Sequence, residues 1–216
     1  MPPAPGFSIP AGAYVTLEHE YILIFRKGAK RPFVTPPQIA NRRGSALFWE
    51  ERNAWYSDVW DFKGIRQSLG QPVSRARSAA FPFELAYRLV NMYSVRNDRV
   101  LDPFLGTGTT MFAAMAAGRN SIGIELDAAF GERIGAEVAG VVRLANERIA
   151  ERLEGHAAFM AEYEARKGAS PHRNRNCGFP VVTSQETDLV LDRIRDITRE
   201  SDGRYRVSYD RLELPG

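Results

Sequence analysis

Apolar positions repeat at helical spacing through Leu85, Leu89 and Met92, in a segment that opens at Phe81-Pro82-Phe83-Glu84 and is predicted to end near Tyr93. Pro82 suits a first turn, and Glu84 complements the positive end of the helix dipole. After the turn pair Asn97-Asp98, the Val-Leu pair within Arg99 to Asp102 reads as a short strand. Gly106 and Gly108 then make a turn, and Thr109 to Ala117 forms a helix of small residues with Gly118 suited to its C-cap. Ser121 to Leu126 is a second apolar strand. Ala128 to about Gly155 is a long helix carrying Ile134, Val138, Val141, Val142, Leu144 and Ile149 on or near one face. The order helix, strand, helix, strand, helix predicts an α/β fold with a parallel sheet.

Outside this centre the patterns are weaker. Residues 1–12 are rich in proline, glycine and alanine and read as an irregular lead-in, while the run from Ala13 to Lys27 ends in a β-rich stretch, Tyr21-Ile22-Leu23-Ile24-Phe25, and predicts a core strand bounded by Gly28. His19, between two glutamates but with no second histidine nearby, reads as a strand-entry residue satisfied by local hydrogen bonds rather than a metal ligand. Residues 28–80 lack periodicity and interleave cationic groups (Arg31, Arg42, Arg43, Arg52, Arg75 and Arg77 among them) with all three tryptophans, Trp49, Trp55 and Trp60. That mixture suits phosphate contacts and ring stacking, or equally a surface region pinned to the core by its aromatics. The pattern fades from His156, and 167–176 is polar and basic, so a linker is expected over 156–180 and a C-terminal extension over 181–216. Within the extension, Leu189, Leu191, Ile194 and Ile197 predict a helix over Asp188 to Thr198, and Tyr205 to Leu214 alternates as a strand.

Composition changes this picture little. The 216 residues are 44% hydrophobic and 25% charged with a net charge of +3, ordinary for a globular chain and only mildly favourable to nucleic acid. A single cysteine, Cys177, excludes an internal disulfide framework and a cysteine-based zinc site, and fits a cytoplasmic protein. No apolar run approaches the length of a membrane span, and the start lacks a charged, then apolar leader, so a soluble intracellular protein is expected.

The chemistry concentrates at the ends of the two central strands. Asp102 closes the first strand at the carboxyl edge of the sheet, where ligands bind in open α/β folds. Gly106 and Gly108 let a ligand approach the backbone, and the helix that follows offers free N–H groups. Glu125, at the end of the second strand, is positioned to accept hydrogen bonds from two ribose hydroxyls. The Gly-x-Gly spacing is shorter than a dinucleotide fingerprint, and the lysine of a P-loop is absent. An acid before the glycines repels a pyrophosphate but attracts an ammonium group. The charge pattern therefore favours S-adenosylmethionine, which carries an amine, a sulfonium and a ribose, over ATP or NAD.

The segment Asp102-Pro103-Phe104-Leu105-Gly106-Thr107-Gly108-Thr109-Thr110, followed by Gly123-Ile124-Glu125, resembles the cofactor motif of the DNA methyltransferases that act on adenine N6 or cytosine N4. Phe81 to Ala86 resembles the segment preceding that motif in the β-type arrangement. Asp58-Val59-Trp60 resembles the loop that closes over the cofactor, and His19 to Lys27 resembles a late strand of the catalytic half; the likeness covers about residues 13 to 150. It implies a Rossmann-like sheet with helices on both faces, double-stranded DNA as partner, and S-adenosylmethionine as cofactor. Asp102 would hold the methionine end, with Pro103, Phe104, Gly106, Gly108 and Thr109 lining it. Glu125 would hold the ribose, and Trp60, Phe81 and Pro82 would form an apolar wall.

The family transfers its methyl group at an Asp/Ser/Asn-Pro-Pro-aromatic loop that orients the amino group of a flipped base. The nearest match, Thr35-Pro36-Pro37-Gln38, lacks the acid or amide and the aromatic, and reads as a turn in the DNA-facing region. The chain is thus expected to be the C-terminal, cofactor-binding half of such an enzyme, with an open sheet edge, an apolar face and a second polypeptide that carries the catalytic loop. A non-catalytic DNA-binding or regulatory subunit, a degenerate fragment, and an RNA or small-molecule methyltransferase are the competing readings.

Overall fold

A computed structural model describes residues 19–62 and 81–213. The chain divides into a short unit, Met1–Pro32, and a large one, Phe33–Gly216. In the described part of the first unit, the run Tyr21 to Phe25 is not a strand, and its side chains are exposed. This corrects the expected core strand. A β-prone run becomes a strand only where a neighbour completes its ladder, and none does so among the described residues. His19 reaches Tyr21 Oη at 3.2 Å, the local bond foreseen for it.

The second unit begins with two helices that the aperiodic 28–80 region had concealed. Helix α1, Pro36–Gly44, starts at Thr35, whose hydroxyl accepts from the Gln38 amide while Gln38 Oε1 accepts from the Thr35 amide. This reciprocal cap fixes the helix start, with proline tolerated in the first turn. Helix α2, Trp49–Trp55, carries Glu50 and Glu51 in its first turn.

Helix α3, Phe83–Tyr93, leads through a turn to strand β1, Arg99–Asp102. Helix α4, Thr109–Ala116, then crosses over to strand β2, Asn120–Gly123, which pairs with β1 in parallel, Leu101 opposite Ile122 and Asp102 opposite Gly123. The chain is α/β, as its patterning predicted. Ala113, Ala114 and Ala116 are buried in α4, and their small side chains allow close packing against α3 and the strands. Tyr87, Val90, Phe112, Ile134, Val141 and Ala145 complete the core, each large apolar side chain contributing roughly 1.5–3 kcal/mol by burial. Val100 faces this core, whereas Leu101, Ile122 and Ile124 on the opposite face are 59%, 46% and 55% exposed. An open apolar face therefore flanks the sheet among the described residues.

The second half departs from expectation in three places. The long helix is two, α5 over Ala129–Glu137 and α6 over Gly140–Lys167, and α6 runs well into the supposed linker. Beyond it lie the two-residue strands β3, His172–Arg173, and β4, Pro180–Val181. Residues 168–191 are tied down by buried Asn174, whose amide donates to the carbonyls of Glu186 and Leu189. The segment expected as a helix over Asp188 to Thr198 is instead mostly strand β5, Asp192–Arg199, antiparallel to β6, Tyr205–Arg211. An irregularity between Ile194 and Asp196 inserts an extra residue, so Ile194 and Ile197 both face inward, opposite Tyr209 and Val207. A bulge has imitated helical spacing. Leu189, Leu191 and Ile149 pack around Phe48, so the C-terminal residues belong to the body of this unit rather than to an appendage. No helix among the described residues is long and apolar enough to cross a membrane.

Candidate cofactor site

Where β1 ends, Asp102 Oδ1 accepts from the Phe104 amide at 3.0 Å, turning the chain out of the sheet. The main chain then stitches the loop to β2: Ile124 N–H donates to Asp102 O (2.8 Å) and Leu105 N–H to Ile124 O (2.9 Å). Gly106 and Gly108 have φ of +52° and +85°, where a side chain is strained, and Gly108 caps α4. Gly123 is required for a different reason. A Cβ there would stand 2.4 Å from the Leu105 side chain, so the loop lies directly on β2.

Glu125 is the hub of the loop. One carboxylate oxygen accepts from the Asp127 amide at 3.0 Å and the other from the Gly106 amide at 2.8 Å. These bonds, Asp127 first and Gly106 second, hold its carboxyl below the usual glutamate range, leaving it ionised at neutral pH. Each oxygen keeps lone-pair capacity for a further donor. Asp127 in turn accepts from the Ala129 amide and fixes the entry to α5. Phe104 and Leu126 flank this polar arrangement with apolar side chains that are 87% and 100% exposed.

Of the residues singled out in the sequence, Asp102, Phe104, Gly106, Gly108 and Glu125 are brought together by these bonds, with Pro103 and Thr109 in the same loop and helix start. Thr109 Oγ1 lies 3.3 Å from Thr107 Oγ1. Trp60 is tied elsewhere: its indole donates to Trp55 O (3.0 Å), its ring meets Phe62 edge-on, and the Arg88 guanidinium lies over it. Phe81 is partly exposed, and Pro82 is the N-cap of α3. Thr35 to Gln38 are occupied in capping α1, which explains that Pro-Pro pair as a helix start. In the region read as DNA-facing, Trp55 is buried and Arg42 lies over Phe33; Lys63, Arg66, Arg75 and Arg77 lie outside the described residues. Sequence reasoning missed Leu105 and Leu126. No sequence signal marked Leu126, which follows Glu125 beyond the end of β2.

A family model described as DNA methylase matches residues 3–135, which include the whole loop and Glu125. The type II methyltransferase M.MthZI of Methanothermobacter thermautotrophicus is 47% identical over 205 residues, 94% of this chain and 56% of its own length. M.MjaI of Methanocaldococcus jannaschii, also a type II methyltransferase, is 50% identical over 55% of this chain and 38% of its own. A Thermus thermophilus protein solved in complex with S-adenosyl-L-methionine is 36% identical over 61% of this chain and 48% of its own, with a TM-score of 0.48. The chain thus spans about half the length of these relatives or less. With its loop, its acid and most of its length matched by the family model, the chain belongs to the DNA methylase family.

Proposed function

We propose that this chain is the cofactor-holding part of a site-specific DNA amino-methyltransferase, using S-adenosylmethionine to methylate adenine N6 or cytosine N4 in double-stranded DNA. The observation that carries this reading is Glu125, an ionised carboxylate fixed at the end of β2 and bonded to an amide of the glycine loop that starts at Asp102. The residues fit the cofactor. Glu125 has acceptor capacity left for the ribose hydroxyls, and Asp102 puts negative charge beside the place of the amino and sulfonium groups. The loop from Pro103 to Thr109 exposes backbone to the methionine end, and the apolar Phe104 and Leu126 suit the flanks of an adenine ring. When bound, S-adenosylmethionine supplies an electrophilic methyl group; the chain's own part is to orient it and exclude water around it. The same reading assigns Trp60, Phe81 and Pro82 to an apolar wall of the cofactor pocket.

The acid- or amide-Pro-Pro-aromatic loop that holds the flipped base would come from polypeptide outside these residues, and the uncovered face of Leu101, Ile122 and Ile124 is a surface for that polypeptide. A second reading, a cofactor-binding subunit without catalysis of its own, is favoured by the use of Thr35 to Gln38 as a helix cap. Transfer of tritiated methyl to duplex DNA separates the two. Transfer is expected only when the chain is combined with a polypeptide bearing that loop, and is abolished by Asp102→Ala. Transfer unaffected by Asp102→Ala would remove the first reading; binding of S-adenosylmethionine without transfer in any combination would establish the second.

A further inference from the structure

His156, on α6, is 2% exposed and stacks on Phe48 with ring centroids 3.9 Å apart and planes 9° from parallel. Both its ring nitrogens face acceptors: Nδ1 lies 2.7 Å from Glu50 Oε1 on α2, and Nε2 lies 2.8 Å from Pro180 O on β4. A carbonyl can only accept, so Nε2 carries a proton. With Glu50 as a carboxylate, which also only accepts, Nδ1 carries one too. The surrounding charges agree. Glu51 is matched by Arg152, but Glu186, buried and holding the amides of Trp49 and Thr183, adds a further negative charge beside the pair. Among the described residues, Glu50 and Glu186 thus add negative charge around the ring, while Arg152 is committed to Glu51. Stacking of the ring on Phe48 is also stronger for a cation than for a neutral imidazole.

We propose that His156 is a charged latch, an imidazolium that clips the first turn of α2 to α6, and that loss of its Nδ1 proton as pH rises breaks the bond to Glu50 and loosens that turn, while the Nε2 proton keeps the bond to Pro180 O. Burial alone pushes the ring's pKa down, but Glu50, the Pro180 carbonyl and Glu186 together outweigh it, and the net direction is upward. A raised folded-state value means the stabilisation is complete below the ordinary histidine value of 6.5 and is lost as pH rises through the folded value.

Nitrogen-15 NMR of the whole chain at pH 7 reads the charge state directly, with His19 and His172 as internal references. Protons on both ring nitrogens of His156 are expected, and a neutral tautomer there would overturn the proposal. Hydrogen exchange then reads the loosening. Corrected for intrinsic rate, protection of the Trp49 and Arg52 amides, which bond Glu186 and Phe48 O at that turn, should fall at least tenfold between pH 6.5 and 9.5 in the native chain, while that of Asn174 and Val190 should not. At Trp49 and Arg52 it should stay flat with pH in Glu50→Gln and His156→Gln. A native profile as flat as that of the variants would contradict the latch, and the native-chain measurements stand even if a variant fails to fold.

Discussion

Two clusters of carboxylates in this molecule are held in opposite ways. In the loop from Asp102 to Asp127, the acids bond to backbone amides two to nineteen residues away and keep an open side. In the cluster between α2 and α6, Glu51 takes two bonds from Arg152 at 2.6 and 2.8 Å, across 101 residues, and Glu50 meets His156 across 106. Amides supply a fixed field that needs no countercharge, so an acid so held is available to a ligand. An acid buried against arginine is consumed by its partner and serves the fold. The comparison separates a group poised for binding from one committed to structure, and each side can be pressed to failure.

The largest effect is expected at Arg152, whose guanidinium also bonds Tyr87 Oη. Arg152→Met leaves the largely buried Glu51 with only the Phe48 amide and no countercharge, and should destabilise the chain by about 3–5 kcal/mol, measured by urea unfolding. The paired change Glu51→Leu with Arg152→Met should recover most of that loss. Gly123→Val follows. It drives a branched side chain into Leu105 and should cost about 1–3 kcal/mol, while weakening S-adenosylmethionine binding at least tenfold because the loop is lifted from β2. If its affinity were unchanged, the close contact would be packing alone.

Thr35→Ala should cost about 1 kcal/mol through loss of the helix cap and leave methyl transfer in the reconstituted enzyme untouched; an abolished transfer would return Thr35-Pro36-Pro37-Gln38 to the chemistry. The smallest effect is a titration. The folded pKa of Glu125 is depressed, so its bonds to Gly106 and Asp127 are complete above the ordinary glutamate value of 4.5 and break only as pH falls through a lower one. The amide shifts of both residues should therefore titrate with a midpoint below 4.5. The loop thus loosens as pH falls, and the His156 latch as pH rises.

The same contrast explains what the sequence made legible. Asp102, the glycines and Glu125 lie within one strand-turn-helix-strand unit, where local rules connect residue type to geometry. Helices α3 and α4 and strands β1 and β6 were readable for the same reason. The partners of Glu50 and Glu51 were not, because no local signal marks a charge that will be neutralised a hundred residues away. Strand β5 was misread because its bulge gave Ile194 and Ile197 the spacing of a helix. The Tyr21 to Phe25 run was misread because strand propensity without a neighbour does not make a strand.

The central claim is that the amide-held acids of the loop bind S-adenosylmethionine, and titration calorimetry of the chain tests it most directly. The native chain should bind one equivalent, and the Asp102→Ala, Glu125→Ala double variant should lose at least a hundredfold in affinity while unfolding at nearly the same urea concentration. Equal affinity in the two proteins, or no binding by the native chain, would contradict the account.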